Sequence, residues 1–440
     1  MDYAFAATLG TLMGLFSGLI PGAGNLVTML LFFPLLLQLD PYQLLIMYAC
    51  LVSISQFIGS VPAVLAGIPG ESSSIPAVIV GHSMNKSGNG SLAIMACAIG
   101  SSFGTVVTVL VTFLMFSHIS WIFDFYYNWV QLTIFTIMFF MILFTSANSK
   151  FVNLVYILLG LLLGTIGYDH VLGTEVLSFG NLYLFSGLPF FIVALGLIAI
   201  PEIAKVNFES TVPDTKSANN NTLVNLRMIW KSRTTILWSS FVGYFGGLVP
   251  GLTSTFASNA SYTISEWTNR LRKTPRLKGQ VNSILAAETS NNVAAFTQLI
   301  PLIFLGIPIL GSEALILALA EMKGFSFTAT ESVYLLTIAS VAVLCTNIFG
   351  VILSWPLSTF IMKIYTFNRY FLNVSLAWIL AIIIYMGIQD YSVVYYLVVF
   401  FVSTALGLLL RNTDRLPILI FFLLQDNIFQ SINVVSRLYF

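Results

Sequence analysis

The sequence predicts an all-α polytopic membrane protein made of two inverted repeats, each holding a re-entrant hairpin broken at a Pro-Gly pair and about five transmembrane crossings. Three observations carry this. Of the 440 residues, 58% are hydrophobic and 8% charged, and the mean hydropathy is +0.92, whereas a soluble domain carries about 25% charged residues. A costly Pro-Gly break occurs twice, as Gly18-Leu19-Ile20-Pro21-Gly22-Ala23-Gly24-Asn25 and as Gly247-Leu248-Val249-Pro250-Gly251-Leu252-Thr253-Ser254. The charges around the two copies are of opposite sign. Freed backbone groups at membrane depth persist only inside protein or beside a watery cavity, and paired breaks in two halves point to a transporter's binding site.

The formal net charge of +1 leaves no nucleic-acid footprint. Cys50, Cys97 and Cys345 lie far apart in apolar runs, which excludes a zinc motif and reads as buried small hydrophobes. Met1-Asp2-Tyr3 lacks the basic start of a signal peptide, so the first apolar run is expected to be retained.

In chain order, apolar runs fall at 4–20, 25–39, 43–66, 70–80, 91–116, 120–146, 151–168 and 180–200. A polar stretch at 201–233 reads as a cytoplasmic linker between a first repeat (1–200) and a second (234–440). Further runs fall at 234–249, 252–266, 280–304, 308–320, 331–360, 371–388, 391–410 and 416–433. Cytoplasmic loops collect Lys and Arg. Lys231 and Arg233 precede the 234–266 pair, and Arg270, Arg272, Lys273, Arg276 and Lys278 follow it. It reads as a hairpin entering from the cytoplasmic side. The 4–39 pair lies between Asp2 and Asp40 and reads as the same hairpin seen from outside. The stretches 43–80 and 280–320 are then single broken crossings. This makes an odd number of crossings per half, and the halves are inverted. Lys323 and Arg437 fall on the outer side as exceptions. The loop Gly81–Gly90 is too glycine-rich for a helix and reads as a mobile cytoplasmic segment.

A second element repeats in the same order. Ala66-Gly67-Ile68-Pro69-Gly70-Glu71-Ser72 corresponds to Leu305-Gly306-Ile307-Pro308-Ile309-Leu310-Gly311-Ser312. The offset is 229 between Pro21 and Pro250, and 239 between Pro69 and Pro308.

Helices that start at membrane midplane present unpaired N–H groups suited to an anion. Small hydroxyl and amide residues follow each break: Asn25 and Thr28; Ser72, Ser73 and Ser74; Thr253, Ser254, Thr255, Ser258 and Asn259; and Ser312. These can bind a carboxylate, or Na⁺ together with unwound carbonyls; alone, each could merely ease helix packing. The substrate candidates are Pro21, Gly22, Gly24, Asn25, Gly70, Ser72, Ser73, Ser74, Gly251, Thr253, Ser254, Asn291 and Asn292. Glu288, Asn291 and Asn292 share one helix face by i, i+3, i+4 spacing, and an ionisable residue there is a functional hypothesis by default. Glu288, Asn291, Asn25 and Thr253 are the candidates for cation coupling; the competing reading pairs Glu288 with Arg276 or Lys278. No catalytic residue, metal ligand or cofactor is expected beyond a coupling Na⁺ or H⁺.

The two Gly-Leu-x-Pro-Gly-type motifs, Gly67-Ile68-Pro69-Gly70, Glu288 with Asn291-Asn292, and Pro301-Leu302-x-x-Leu305-Gly306-Ile307-Pro308 together resemble the large membrane subunit of the tripartite tricarboxylate transporters, the TctA-type permeases. The resemblance runs from about residue 10 to Gly407–Pro417. It implies a multi-pass permease of the bacterial inner membrane that works with a small membrane subunit and a periplasmic solute-binding protein. It also implies import of a small organic carboxylate by symport, driven by a Na⁺ or H⁺ gradient through elevator-type alternating access. The sequence departs from the family pattern at Leu252-Thr253, which lacks a second glycine, at Ala287 before Glu288, and at Ile309 after Pro308. A passive anion channel and a membrane-embedded hydrolase using Ser72, Ser73 and His82 are the alternatives. Neither Ser72 nor Ser73 sits in a Gly-x-Ser-x-Gly motif.

Overall fold

The computed structural model describes residues 3–20, 24–69, 71–124, 128–145, 148–169, 174–205, 222–249, 253–327, 331–358, 360, 378–379, 381–385 and 392–439. Of the expected features, Pro21, Gly22, Gly70, Pro250, Gly251, residues 206–221 of the linker and most of the 371–388 run lie outside them.

The chain is helical nearly throughout. The first half contains α1 (Tyr3–Leu19), α2 (Asn25–Leu31), α3 (Pro41–Leu65), α4 (Gly90–Asp124), α5 (Asn128–Thr145) and α6 (Lys150–Gly164). A two-stranded hairpin follows, β1 (Gly167–Asp169) with β2 (Thr174–Val176). Then α7 (Phe190–Ala194) continues through a π turn, Leu195–Ala199, into α8 (Ile200–Lys205). The second half contains α9 (Thr222–Trp230), α10 (Arg233–Leu248), α11 (Ser254–Leu271), α12 (Arg276–Thr297), α13 (Leu299–Leu305), α14 (Gly311–Met322), α15 (Ser332–Ser354), α16 (Val393–Leu409) and α17 (Leu416–Tyr439). Four helical stretches, Pro41–Leu65, Gly90–Met115, Ser332–Ser354 and Leu416–Asn433, are long and apolar enough to cross a membrane. Exposed Leu114, Phe144, Phe151, Val394, Phe401 and Leu409 form the apolar outer surface such a protein presents to lipid.

Two helices organise the rest. Asp40 starts α3 with a capping box, its carboxylate accepting from the Gln43 N–H at 2.9 Å and its own N–H donating to Gln43 Oε1 at 3.0 Å. The 25 residues of α3 make about 37 Å of helix, enough to span alone. A Cβ on Gly10, Gly14 or Gly18 of α1 would meet the Met47, Leu51 or Ser55 carbonyl of α3; only glycine allows that approach. The contact positions rise together along both chains, so α1 runs parallel to α3 and α2 returns to Asp40. In the second half, Gly243 and Gly247 of α10 face Ser290 and Ala294 of α12 in the same parallel sense, and α11 returns alongside α12.

The two units face opposite ways. Asn291 of α12 meets Gln56 of α3. Ile284 lies at Gly81, which abuts Val64 near the end of α3. Ascending α12 is therefore descending α3. The α1–α2 hairpin begins at the Asp40 end of the pair and the α10–α11 hairpin at the Arg276 end. The next helices exchange between halves: α15 packs along α3, and α4 along α12, with Gly350 against Phe57 and Gly100 and Gly104 against Thr289.

Helix α3 and α13, the short helix that follows α12, also end alike. The Ile68 N–H reaches the Pro62 carbonyl at 3.3 Å, and the Ile307 N–H reaches the Pro301 carbonyl at 3.3 Å. Gly67 (φ 72°) and Gly306 (φ 62°) take the left-handed conformation between them, a helix stop that disfavours any side chain. Beyond each stop the chain doubles back, where single broken crossings over 43–80 and 280–320 are expected from the sequence. After Gly67 it reaches Glu71 beside Gln56, then returns through a 3₁₀ turn (Ser72–Ser74) and a π turn (Ala77–His82). There His82 Nδ1 lies 3.1 Å from the Val64 carbonyl. After Gly306 it reaches Ser312 beside Tyr48 (2.9 Å) and returns so that Phe327 lies against Gly306. Gln56 lies nine residues before Leu65, and Tyr48 eight after Asp40, so each excursion dips about 12–13 Å from its own end. The Gly81–Gly90 stretch is also tighter than its glycines suggest. Its helix runs to Lys86, and Asn85 Nδ2 donates to the Leu65 carbonyl at 3.2 Å. Cys50 and Cys97 are buried as expected, but Cys345 is exposed.

Candidate functional site

A cluster of buried polar side chains lies where the first hairpin, the first excursion and α12 meet. Along α12, Glu288, Thr289, Ser290, Asn291 and Asn292 are consecutive and all buried; Glu288 and Asn291 are each 1% exposed. A run this polar stays helical at depth because neighbouring elements supply its partners. Asn291 Nδ2 donates to Gln56 Oε1 at 2.6 Å. Asn292 Nδ2 donates to Ser101 Oγ at 2.7 Å and to the Glu288 carbonyl at 3.0 Å. Ser290 Oγ donates to the Ala257 carbonyl of α11 at 3.1 Å.

The first hairpin and the first excursion close the other side. Gln56 Nε2 donates to Glu71 Oε2 at 3.2 Å, and the backbone N–H of Asn25, opening α2, also donates to the Glu71 carboxylate. Asn25 Oδ1 accepts from Ser17 Oγ at 2.9 Å. Ser74 Oγ donates to the Glu71 carbonyl at 2.7 Å. Ser258 Oγ of α11 donates to the Ser73 carbonyl at 2.8 Å, tying the second hairpin to the first excursion. Hydrogen bonds thus link three of the four breaks into one cluster with α12.

Several oxygens in it are buried without a hydrogen-bond partner: Thr28 Oγ1, Glu71 Oε1, Ser73 Oγ, Glu288 Oε1 and Asn291 Oδ1. Most are pure acceptors, and buried acceptors left without donors cost free energy. Such sets occur where a ligand, ion or proton belongs. Beside the cluster, between α3, α4, α12 and α15, lies a cleft of about 10 Å³ lined by Ser53, Gln56, Asn292 and Phe296. That is room for about one water.

Among the predicted residues, Asn25, Ser73, Ser74, Glu288, Asn291 and Asn292 come together. Gly24 adjoins Asn25, and Ser72 opens the 3₁₀ turn. Thr253 serves as the N-cap of α11, its Oγ1 accepting from the Phe256 N–H at 3.4 Å. Buried Ser254 lies one turn before Ser258. The competing pairing of Glu288 with Arg276 or Lys278 does not occur, because these lie 12 and 10 residues away on one helix, about 18 and 15 Å. Ser312 bonds Tyr48, away from the cluster, and Glu313 beside it accepts from the N–H groups of Ile309 (2.6 Å) and Leu310 (3.1 Å). The residues sequence reasoning missed are Gln56, Ser101, Ser17 and Glu71. Glu71 carried a usable signal, a carboxylate two residues past Pro69 in an apolar setting.

The profile of the family described as "Tripartite tricarboxylate transporter TctA family" matches residues 4–420. A relative from Agrobacterium vitis, named "Uncharacterized 52.8 kDa protein in TAR-I ttuC' 3'region", is 29% identical over 333 residues. The matched part covers 72% of this chain and 63% of that protein. No solved structure matches the chain. With its apolar spans, its repeated helix breaks and a family match over nearly its whole length, the chain belongs to the tripartite tricarboxylate transporter TctA family, a family of transport components.

Proposed function

We propose that the chain is the large membrane subunit of a bacterial inner-membrane importer for a small organic carboxylate, coupled to a Na⁺ or H⁺ gradient. A small membrane subunit and a periplasmic solute-binding protein would complete the system. The observation that carries this reading is the convergence of Asn25, Glu71, Ser73, Ser258, Glu288, Asn291 and Asn292 from hairpins that enter at opposite ends of the α3–α12 pair. The antiparallel units, the exchanged helices and the matching stops at Gly67 and Gly306 support two inverted repeats, 1–200 and 234–440, joined by a cytoplasmic linker at 201–233. Lys86, Arg270, Arg272, Lys273, Arg276 and Lys278 collect at the Arg276 end, which is the cytoplasmic end by charge. Both excursions and both hairpins are then re-entrant.

Substrate would bind among the backbone amides and hydroxyls of the breaks with the amides of Asn291 and Asn292. Glu288 would carry the coupling charge. The test is uptake into proteoliposomes holding the full system, with citrate and smaller carboxylates offered under imposed Na⁺ or H⁺ gradients. Saturable, gradient-dependent uptake that falls on the order of tenfold or more in Asn291→Ala is expected, as losing a buried hydrogen-bonding group costs about 1–3 kcal/mol. Non-saturating flux, or uptake indifferent to Asn291→Ala and Glu288→Ala, would overturn the assignment.

A further inference from the structure

The row Asn291–Gln56–Glu71 has a direction. Asn291 Nδ2 donates to Gln56 Oε1 at 2.6 Å, and Gln56 Nε2 donates to Glu71 Oε2 at 3.2 Å. Every donor points toward the carboxylate, the arrangement an ionised Glu71 requires, since a carboxylate only accepts. The opposite end of the row is left over: Asn291 Oδ1 is buried with no donor, as is Glu71 Oε1.

A proton on Glu71 reverses this preference. The carboxyl gains a donor, and the two amides can exchange their oxygen and nitrogen by rotating in place. Glu71 O–H then donates to Gln56 Oε1, and Gln56 Nε2 donates to Asn291 Oδ1, the atom that lacks a partner in the ionised row. The rotation frees Asn291 Nδ2 as a donor. The site thus loses a negative charge and gains an N–H group in one event, and both changes favour an entering anion.

We propose that Glu71 is a proton-carrying residue of the transport cycle, and that Gln56 is the positioning residue that passes its protonation state to Asn291. The proposal rests on the transporter reading and sharpens it, choosing H⁺ and placing it on Glu71, to which that reading gives a place in the cluster but no coupling role. One proton enters from the water on the open side, neutralises the carboxylate and leaves to water on the other side with the anion.

The surroundings suit such a role. Around the 3₁₀ turn pack α3, α11 and α12. The titratable groups on α3 are Tyr42, Tyr48 and Cys50. On α11 they are Tyr262, Glu266 and Arg270, with Glu266 accepting from Ser283 at 2.7 Å. On α12 they are Arg276, Lys278 and Glu288. Arg276 lies 15 residues from Asn291, about 22 Å along the helix. On α2, which donates the Asn25 N–H, there is no titratable side chain. Among the described residues no basic group acts on Glu71, so its charge is answered by hydrogen bonds and can be removed by a proton without stranding a cation.

The test is pH-difference infrared spectroscopy of the full chain in lipid vesicles, titrated with protons alone. Wild type should show a protonated-carboxyl band appearing together with a shift of side-chain amide carbonyl bands. Glu71→Gln should lose that carboxyl band and the coupled amide shift, whereas Glu71→Asp should retain a displaced band. Gln56→Leu should keep the carboxyl band and lose the amide shift. Glu288→Gln should keep the pair. A paired signal that survives Glu71→Gln, or an amide shift that survives Gln56→Leu, overturns the proposal. The two readings separate cleanly. Uptake in Glu71→Gln with wild-type dependence on the proton gradient removes the proton assignment and leaves the transporter. Intact infrared coupling in a wild-type system that takes up no carboxylate keeps the proton site and removes the transporter.

Discussion

Helices α3 and α12 occupy matching places and carry opposite chemistry. Each is flanked by a hairpin whose glycines let backbone approach backbone, each receives a helix from the other half, and each leads into a doubled-back excursion. Yet α3 buries only Gln43, Ser53, Ser55, Gln56 and Ser60 as polar groups spread over its 25 residues, none of them charged, while α12 buries five consecutive polar residues from Glu288 to Asn292. The packing frame is alike around both helices and the polar chemistry is concentrated on one. The more apolar helix contributes Gln56, which connects that chemistry to the opposite excursion.

The two excursions repeat the lesson. Glu313 spends its carboxylate on the backbone of its own turn, through Ile309 and Leu310. Glu71 is bound by groups from other elements, Gln56 and the Asn25 N–H. One carboxylate holds its turn in shape; the other joins the proposed site together.

This comparison can be broken or sharpened by experiment, and the frame itself should give the largest effect. A Cβ at Gly247 would lie 1.9 Å from Thr297 Oγ1 and 2.5 Å from the Ala294 carbonyl, while one at Gly59 finds nothing closer than 4.0 Å. Gly247→Val should cost about 3 kcal/mol or more through overpacking and abolish a monodisperse, thermally stable preparation, whereas Gly59→Ala should leave one. Equal tolerance would remove the glycine contact as the basis of the α10–α12 pairing. Next, Glu313→Gln weakens the acceptor for two buried N–H groups and should lower stability by about 1–3 kcal/mol, read as a lower melting temperature. Glu71→Gln, whose partners lie on other elements, should shift melting less and uptake more. The reverse ranking would exchange the roles assigned to the two residues.

A smaller effect is expected for the link between halves. A double-mutant cycle of Gln56→Leu and Asn291→Leu should give a coupling energy of about 0.5–3 kcal/mol in stability; a value near zero would separate α3 from the α12 cluster. Smallest is Thr253→Ala, which removes a long 3.4 Å N-cap bond and should cost about 0.5 kcal/mol, the low end for caps. A large loss of uptake without a matching loss of stability would return Thr253 to the site.

Much of this was legible in the sequence because the features are expensive. Pro21, Pro250, Pro69 and Pro308 stand out against apolar surroundings, and Glu288 with Asn291 and Asn292 announces itself in a buried helix. Gln56, Ser17 and Ser101 did not, because a neutral polar residue in an apolar run is common packing. Their meaning comes from partners far along the chain; Asn291 and Gln56 are 235 residues apart. The doubling back after Gly67 was hidden for another reason. Its return is made of a 3₁₀ turn and a π turn, which leave no 3.6-residue periodicity to read.

The central claim, that breaks from the two halves meet at Glu288–Asn292 to carry a carboxylate, is tested most directly by substrate protection. In a chain with Cys50, Cys97 and Cys345 replaced by alanine, Ser73→Cys and Asn292→Cys place one thiol on the first excursion and one on α12. The account predicts that the same carboxylate, offered with the coupling gradient and the partner subunits, slows labelling at both positions with one concentration dependence. Protection at neither position in a system that actively takes up that carboxylate would contradict it.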